Sequence, residues 1–202
     1  ILTASSNWSG QYEYLQHAKE KLSYVIPLTL FIIVILLFIN FRNFAEVTLL
    51  MGTLPFALVG GVWLMYWHGF NFSIAVAVGF IALAGVAIEI GIIMLLYLNQ
   101  ARSRLFEELA QKNIMVQERH LKEAIMQGAG MRIRPVMMTA STVIIGLLPI
   151  LYASGTGSEV MSRIAAPMVG GMLSSILLIL LVLPVSYYLW HRRLLMKETD
   201  VS

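Results

Sequence analysis

Long apolar runs separated by short polar turns dominate the chain. Residues 22–41 lie between Lys21 and Arg42 with no charge inside. Residues 47–67 follow the turn Arg42-Asn43-Phe44-Ala45 and Glu46, and residues 73–98 follow the turn Trp67-His68-Gly69-Phe70-Asn71. Residues 136–153 start after Arg134-Pro135, and residues 164–190 run from Arg163 to His191-Arg192-Arg193. Each run approaches or exceeds the roughly 20 apolar residues that carry a helix across a hydrocarbon core of about 30 Å. The alternation of apolar and polar positions that marks membrane barrel strands is missing. The pattern predicts an all-α membrane protein, a five-span transmembrane helix bundle over residues 22–190.

Between the third and fourth spans, residues 102–134 are polar but still read as helix. Leu121, Ala124, Ile125 and Gly128 recur at helical spacing, with Glu118, Arg119, Lys122 and Glu123 on the other face. The expected form is an amphipathic helix on the cytoplasmic membrane surface, ended by Gly128-Ala129-Gly130. Pro135 then suits the first turn of the fourth span. Residues 1–21 mix Trp8, Tyr12 and Tyr14 with Ser, Gln and Glu, as expected for the end of an extramembrane domain entering the bilayer. Residues 191–202 form a polar tail. The start Ile1-Leu2-Thr3, without an initiator Met or signal peptide, suggests a fragment of a larger protein.

Composition supports this reading: 58% of residues are hydrophobic and 12% charged, against about 25% charged in soluble domains. The net charge of +3 comes without the basic cluster of a nucleic-acid binder. There is no cysteine, which removes disulfides and thiolate metal sites. Orientation follows from basic residues in short loops. Arg42, the segment containing Arg102, Arg104, Lys112, Arg119, Lys122, Arg132 and Arg134, and the tail with Arg192, Arg193 and Lys197 fall on one side. The expectation is an N-terminus outside and a C-terminus in the cytoplasm.

Glu89 is the strongest chemical signal. An ionised carboxylate at mid-membrane costs at least about 2.5 kcal/mol, so it should face the bundle interior, pair, or hold a proton. A structural, protonated Glu is the bland alternative to a proton or ion path. Gly60-Gly61, Gly79, Gly85, Gly91, Gly146 and Gly170-Gly171 suit close helix packing. Thr139, Ser141 and Thr142 are expected to bond back to their own helix, with a relay role as the alternative. Among the 12 Met, most are flexible filler. Met161, beside Glu159 at the outer end of the last span, could offer a soft thioether to Cu(I) or Ag(I). His17, His68, His120 and His191 all lie outside the spans, and HExxH, P-loop and GxSxG patterns are absent, so a multi-span membrane enzyme is the weaker alternative and no cofactor is expected.

Several motifs resemble the heavy-metal efflux branch of the resistance-nodulation-division transporters, in particular its copper/silver pumps of the CusA type. Gly130-Met131-Arg132-Ile133-Arg134-Pro135-Val136-Met137-Met138-Thr139 is similar to the start of their eleventh span. Gly85-Val86-Ala87-Ile88-Glu89-Ile90-Gly91, followed by Met94-Leu95-Leu96-Tyr97-Leu98, resembles the tenth. The stretch from Gly155 through Glu159, Met161 and Pro167 to Met168 resembles the turn between eleven and twelve, and Pro55 to Gly61 the ninth. The resemblance implies spans eight to twelve of a twelve-span, proton-driven, homotrimeric inner-membrane pump for heavy-metal cations, working with a periplasmic adaptor and an outer-membrane channel. It implies a proton relay with Glu89, Arg132 and Thr139, and a place for Met161 on the metal path. Val136 stands where the copper pumps have a lysine, so the relay cannot be identical, and zinc/cobalt/cadmium or multidrug export are the alternative substrates.

Overall fold

The computed structural model describes the backbone of residues 2–112, 114 and 117–199, and the side chains of residues 16–17, 20–112, 114 and 117–194. The aromatic and basic side chains expected at the interface, Trp8, Tyr12, Tyr14 and Lys19, and Lys197 of the tail, lie outside the described residues. The described residues form six α-helices in order: α1 (Leu2–Phe41), α2 (Phe44–Trp67), α3 (Ile74–Gln111), α4 (Glu118–Leu151), α5 (Ser158–Leu177) and α6 (Leu183–Thr199). A five-residue π-helical segment, Leu178–Val182, joins the last two into one rod. Among the described residues, five stretches are long and apolar enough to cross a membrane. Helix is the only open-ended element that satisfies every backbone group in lipid, which is why apolar runs of this length fold this way.

Local chemistry sets the breaks. Arg42 takes a left-handed φ of 52° and closes α1 with its N–H on the Phe38 carbonyl at 2.8 Å. Asn43 then accepts from the Ala45 N–H at 3.1 Å, so α2 restarts at Phe44 and the turn is shorter than expected. Ser73 caps α3 by accepting from the Val76 N–H at 3.4 Å. Gly155 and Gly157 carry φ of 144° and 85° in the turn before α5. Within the last rod, Leu183 donates back to Leu178. Pro184 has no N–H to continue the ordinary ladder, a known cause of such local rewinding.

The polar segment 102–134 is helical, but its break falls near residues 112–117 and not at Gly128-Ala129-Gly130. Helix α4 passes through those glycines and through Pro135, which therefore sits in the helix interior and not in a first turn. The expected apolar face is real: Leu121, Ala124, Ile125 and Gly128 are buried. It packs on protein, because a Cβ at Gly128 would sit 3.0 Å from the Ala101 Cβ and 3.0 Å from the Tyr97 carbonyl. At about 1.5 Å per residue, the 38 residues of α3 span roughly 57 Å, so nearly half of that helix stands beyond a core of about 30 Å.

The chain divides into two compact units, Ile1–Val47 and Thr48–Ser202. In the first, the apolar surface of α1 is largely exposed, including Tyr24, Phe31 and Ile39. In the second, α3 is central. Its Val76, Leu83, Ala87, Met94, Leu95 and Leu98 are buried, with Leu121 of α4, Met172 of α5 and Tyr187 of α6. Glycines let backbones meet: a Cβ on Gly61 would lie 2.9 Å from the Pro167 carbonyl, and one on Gly79 would lie 2.6 Å from Pro167 Cγ. Gly85 and Gly146 have nothing within 4 Å and do not serve packing within this chain.

Candidate functional site

Glu89 and Ile93 lie one four-residue step apart, and Arg132, Val136, Thr139 and Val143 follow one another at three- and four-residue steps. Such spacing stacks side chains on one helix face. The two faces, one from α3 and one from α4, meet in a groove of about 390 Å³ whose floor includes Met172 of α5. Glu89, Arg132 and Thr139 are the polar side chains of its lining, and the rest is apolar, chiefly Val86, Ile90, Ile93, Pro135 and Val136. The three residues that the resemblance assigns to a proton relay therefore share one cavity.

Their local environments differ. Glu89 is exposed to the groove between the buried Ile88 and Ile90; it is not in the bundle interior, and it has no ion pair among the described residues. Gly85, one turn earlier, is exposed on the same side and adds no side chain to that face. Arg132 lays its guanidinium 4.8 Å from the centroid of the Tyr97 ring. Its Nε is shielded and has no hydrogen-bond acceptor among the described residues. A guanidinium stays charged at any physiological pH, so this wall of the groove is permanently positive. Thr139 donates to the Pro135 carbonyl at 3.2 Å and the Val136 carbonyl at 3.0 Å, which is the back-bonding expected of a hydroxyl in a span.

The volume is far above the roughly 10–15 Å³ that each water requires, and a carboxylate and a guanidinium give water polar partners. Chemically the groove brings one carboxylate and one guanidinium into the same hydratable, otherwise apolar space. Met161 is not part of this arrangement. It is exposed on the first turn of α5 and does not line the groove. Met172, buried in α5, is the methionine that does. Sequence reasoning missed it, and also missed Tyr97, although Tyr97 lies eight residues, two turns, beyond Glu89 on the same face. Among the described residues, no three His, Asp or Glu side chains converge as a metal site.

The α3 and α4 walls are held at one end by a polar junction with α6. The Tyr187 hydroxyl donates to Asn99 Oδ1 at 2.5 Å, and the buried His191 ring lies 4.1 Å from the Tyr187 ring. Glu118 at the start of α4 accepts from the Tyr188 hydroxyl at 2.5 Å and pairs with Arg192 Nε at 2.9 Å.

Residues 2–191 match the AcrB/AcrD/AcrF family. The chain is 52% identical over 187 residues to SilA of Salmonella typhimurium and 49% identical over 189 residues to the cation efflux system protein CusA of Escherichia coli strain K12. It is 41% identical over 187 residues to the cobalt-zinc-cadmium resistance protein CzcA of Cupriavidus metallidurans. Each alignment covers 92% of this chain but only 16–18% of the relative, so the chain spans less than a fifth of their length. The crystal structure of a heavy metal efflux pump superimposes with a TM-score of 0.74 at 36% identity, covering 89% of this chain and 16% of that one. The chain belongs to the AcrB/AcrD/AcrF family, the resistance-nodulation-division transporters, within its heavy-metal efflux branch.

Proposed function

We propose that this chain is the C-terminal transmembrane part of a proton-driven inner-membrane pump that exports heavy-metal cations, with Cu(I) and Ag(I) as substrates. The observation that carries this reading is the shared groove: Glu89, Arg132 and Thr139 are the polar groups of one otherwise apolar cavity. In this mechanism Glu89 takes up and releases the proton. Arg132 stabilises the ionised carboxylate, and Thr139 contributes a hydroxyl that can leave its own helix to relay a proton. A charge crossing 100 mV is worth about 2.3 kcal/mol, and one unit of pKa change about 1.4 kcal/mol. A carboxylate alternating between wet and dry surroundings can thus convert several kcal/mol per proton into helix movement.

Exposure of Glu89 on this chain supports a further part of the reading. A carboxylate facing lipid is costly, so other spans of a longer protein cover the groove. The relatives' greater length agrees with this. In this reading the N-terminus is periplasmic and the segment 102–134 and the C-terminus are cytoplasmic, the side that the basic residues of the short loops favour. A homotrimer with a periplasmic adaptor and an outer-membrane channel completes the assembly, and Met161 stands on the metal path through the membrane.

Identity favours the copper/silver assignment, at 52 and 49% to SilA and CusA against 41% to CzcA. One observation favours zinc, cobalt or cadmium instead: Val136, where the copper pumps carry a lysine, lies in the groove wall and leaves it one cation poorer. Growth of a pump-deleted strain carrying the full-length parent, on silver, copper and zinc, separates the readings. Protection against silver and copper that Glu89→Gln abolishes at matched expression supports the proposal. Protection against zinc alone transfers it to divalent cations, and a fully protective Glu89→Gln removes Glu89 from the mechanism.

A further inference from the structure

Arg132 has a second neighbourhood. Tyr97, on which its guanidinium rests at 4.8 Å, also lines a separate cavity of about 360 Å³ between α3 and α4. That cavity's polar walls are Gln100, Arg104 and Glu108 from α3 and Gln127 from α4. Residues 100–108 lie beyond the apolar run of the third span, on the part of α3 that stands outside the hydrocarbon core. Met131, adjacent to Arg132 in sequence, lines this cavity too, and Pro135 supplies no N–H to its carbonyl. The Arg132–Tyr97 stack therefore stands between an apolar groove holding one carboxylate and a polar cavity at the helix extensions.

We propose that the Arg132–Tyr97 stack gates a water-filled proton exit, built from Gln100, Arg104, Glu108 and Gln127, that serves the Glu89 groove. The assignment rests on the proton-carrying role of Glu89. A guanidinium cannot give up its own proton at physiological pH, so Arg132 acts by position. While Glu89 is protonated and neutral, the guanidinium has no anion in the groove and stays on the Tyr97 face, a favourable place for a cation. Ionisation breaks the Glu89 O–H bond, leaves the electron pair on the carboxylate, and passes the proton to water. The new anion draws Arg132 into the groove and off Tyr97. The opened side of the ring lets water reach the polar cavity, which carries the proton away. Reprotonation neutralises Glu89 and returns Arg132 to the ring. Tyr97 is a positioning residue in this scheme, and Glu108 is the acceptor group of the exit.

The test uses the full-length transporter in proteoliposomes containing a trapped pH-sensitive dye, with a pH gradient imposed in the presence and absence of Ag⁺. Tyr97→Leu removes the ring face and should raise proton flux without metal several-fold. Tyr97→Phe keeps the face and should match the parent, and Glu89→Gln combined with Tyr97→Leu should abolish the leak. Metal-independent flux in Tyr97→Leu equal to that of the parent overturns the gate. Should Tyr97→Leu fail to insert, Gln127→Cys in a cysteine-free background reports on the exit itself. Labelling by a membrane-impermeant thiol reagent supports a water-filled cavity, and complete protection overturns it. The controls separate the two levels. If Glu89→Gln alone leaves proton flux intact, the proton-carrying role fails and the gate with it. If Glu89→Gln stops flux while Tyr97→Leu changes nothing, the gate alone fails.

Discussion

Gly60→Ala should weaken the crossing of α2 and α5 far more than its single added methyl suggests. A Cβ at Gly60 would overlap the Gly170 carbonyl oxygen and the Ser174 hydroxyl, and would lie 2.7 Å from the Ser174 Cβ. Carbon atoms prefer separations of about 3.5–4.0 Å. The Ser174 hydroxyl can rotate, but the Gly170 oxygen is backbone and the Ser174 Cβ is fixed to it, so the helices must part by roughly 1 Å. Overpacking of this kind costs about 1–3 kcal/mol. Parting also strains the bond that Ser174 donates to the Ala57 carbonyl at 3.1 Å, and such interhelical bonds in membranes are worth about 0.6 kcal/mol. Against this, Ala is favoured over Gly in a helix by about 0.8–1.0 kcal/mol. The net expectation is a loss of about 0.5–3 kcal/mol. Gly146 has nothing within 4 Å, so Gly146→Ala should keep only the propensity gain. Denaturant titration of the purified protein in detergent, followed by circular dichroism, compares the two. A Gly60→Ala protein as stable as Gly146→Ala would refute the close crossing.

Gly157→Ala should destabilise by about 1–2 kcal/mol although the site is open, because its φ of 85° is a left-handed geometry that a Cβ opposes; the same titration measures it. Glu118→Gln removes the pair with Arg192 and weakens the bond from Tyr188. Both partners are partly exposed, so the loss should stay below about 1 kcal/mol, and a larger shift in the unfolding midpoint would show that this junction matters more than an exposed pair does. Met161→Ile should leave stability unchanged, since Met161 is exposed, but should lower silver tolerance of cells carrying the full-length parent. Unchanged tolerance would take Met161 off the metal path.

Hydropathy alone made the five spans legible, because helix is forced on any apolar run that must satisfy its backbone in lipid. The helix breaks were less so. Gly128 and Gly130 read as a stop, yet the burial of Leu121, Ala124 and Ile125 against neighbouring helices holds α4 together through them, and packing outweighs a Gly penalty of about 1 kcal/mol. Pro135 costs α4 one backbone bond, and the helix continues because its first half is packed and its second half, apolar and bound for lipid, must satisfy its own backbone. At the candidate site, Glu89, Arg132 and Thr139 could be picked out singly from residue type, spacing and resemblance. Their convergence needed the relative rotation of α3 and α4, which no single helix encodes. For the same reason Tyr97 and Met172 escaped notice: each is an ordinary apolar-face residue until the neighbouring helix arrives.

The central claim is that Glu89 binds and releases a proton while metal is exported. Infrared difference spectroscopy of the reconstituted full-length pump, between acidic and alkaline pH and with and without Ag⁺, reads this directly. The account predicts a protonated-carboxyl band that disappears on alkalinisation, responds to Ag⁺, and is missing in Glu89→Gln. Identical difference spectra from the parent and Glu89→Gln would contradict it.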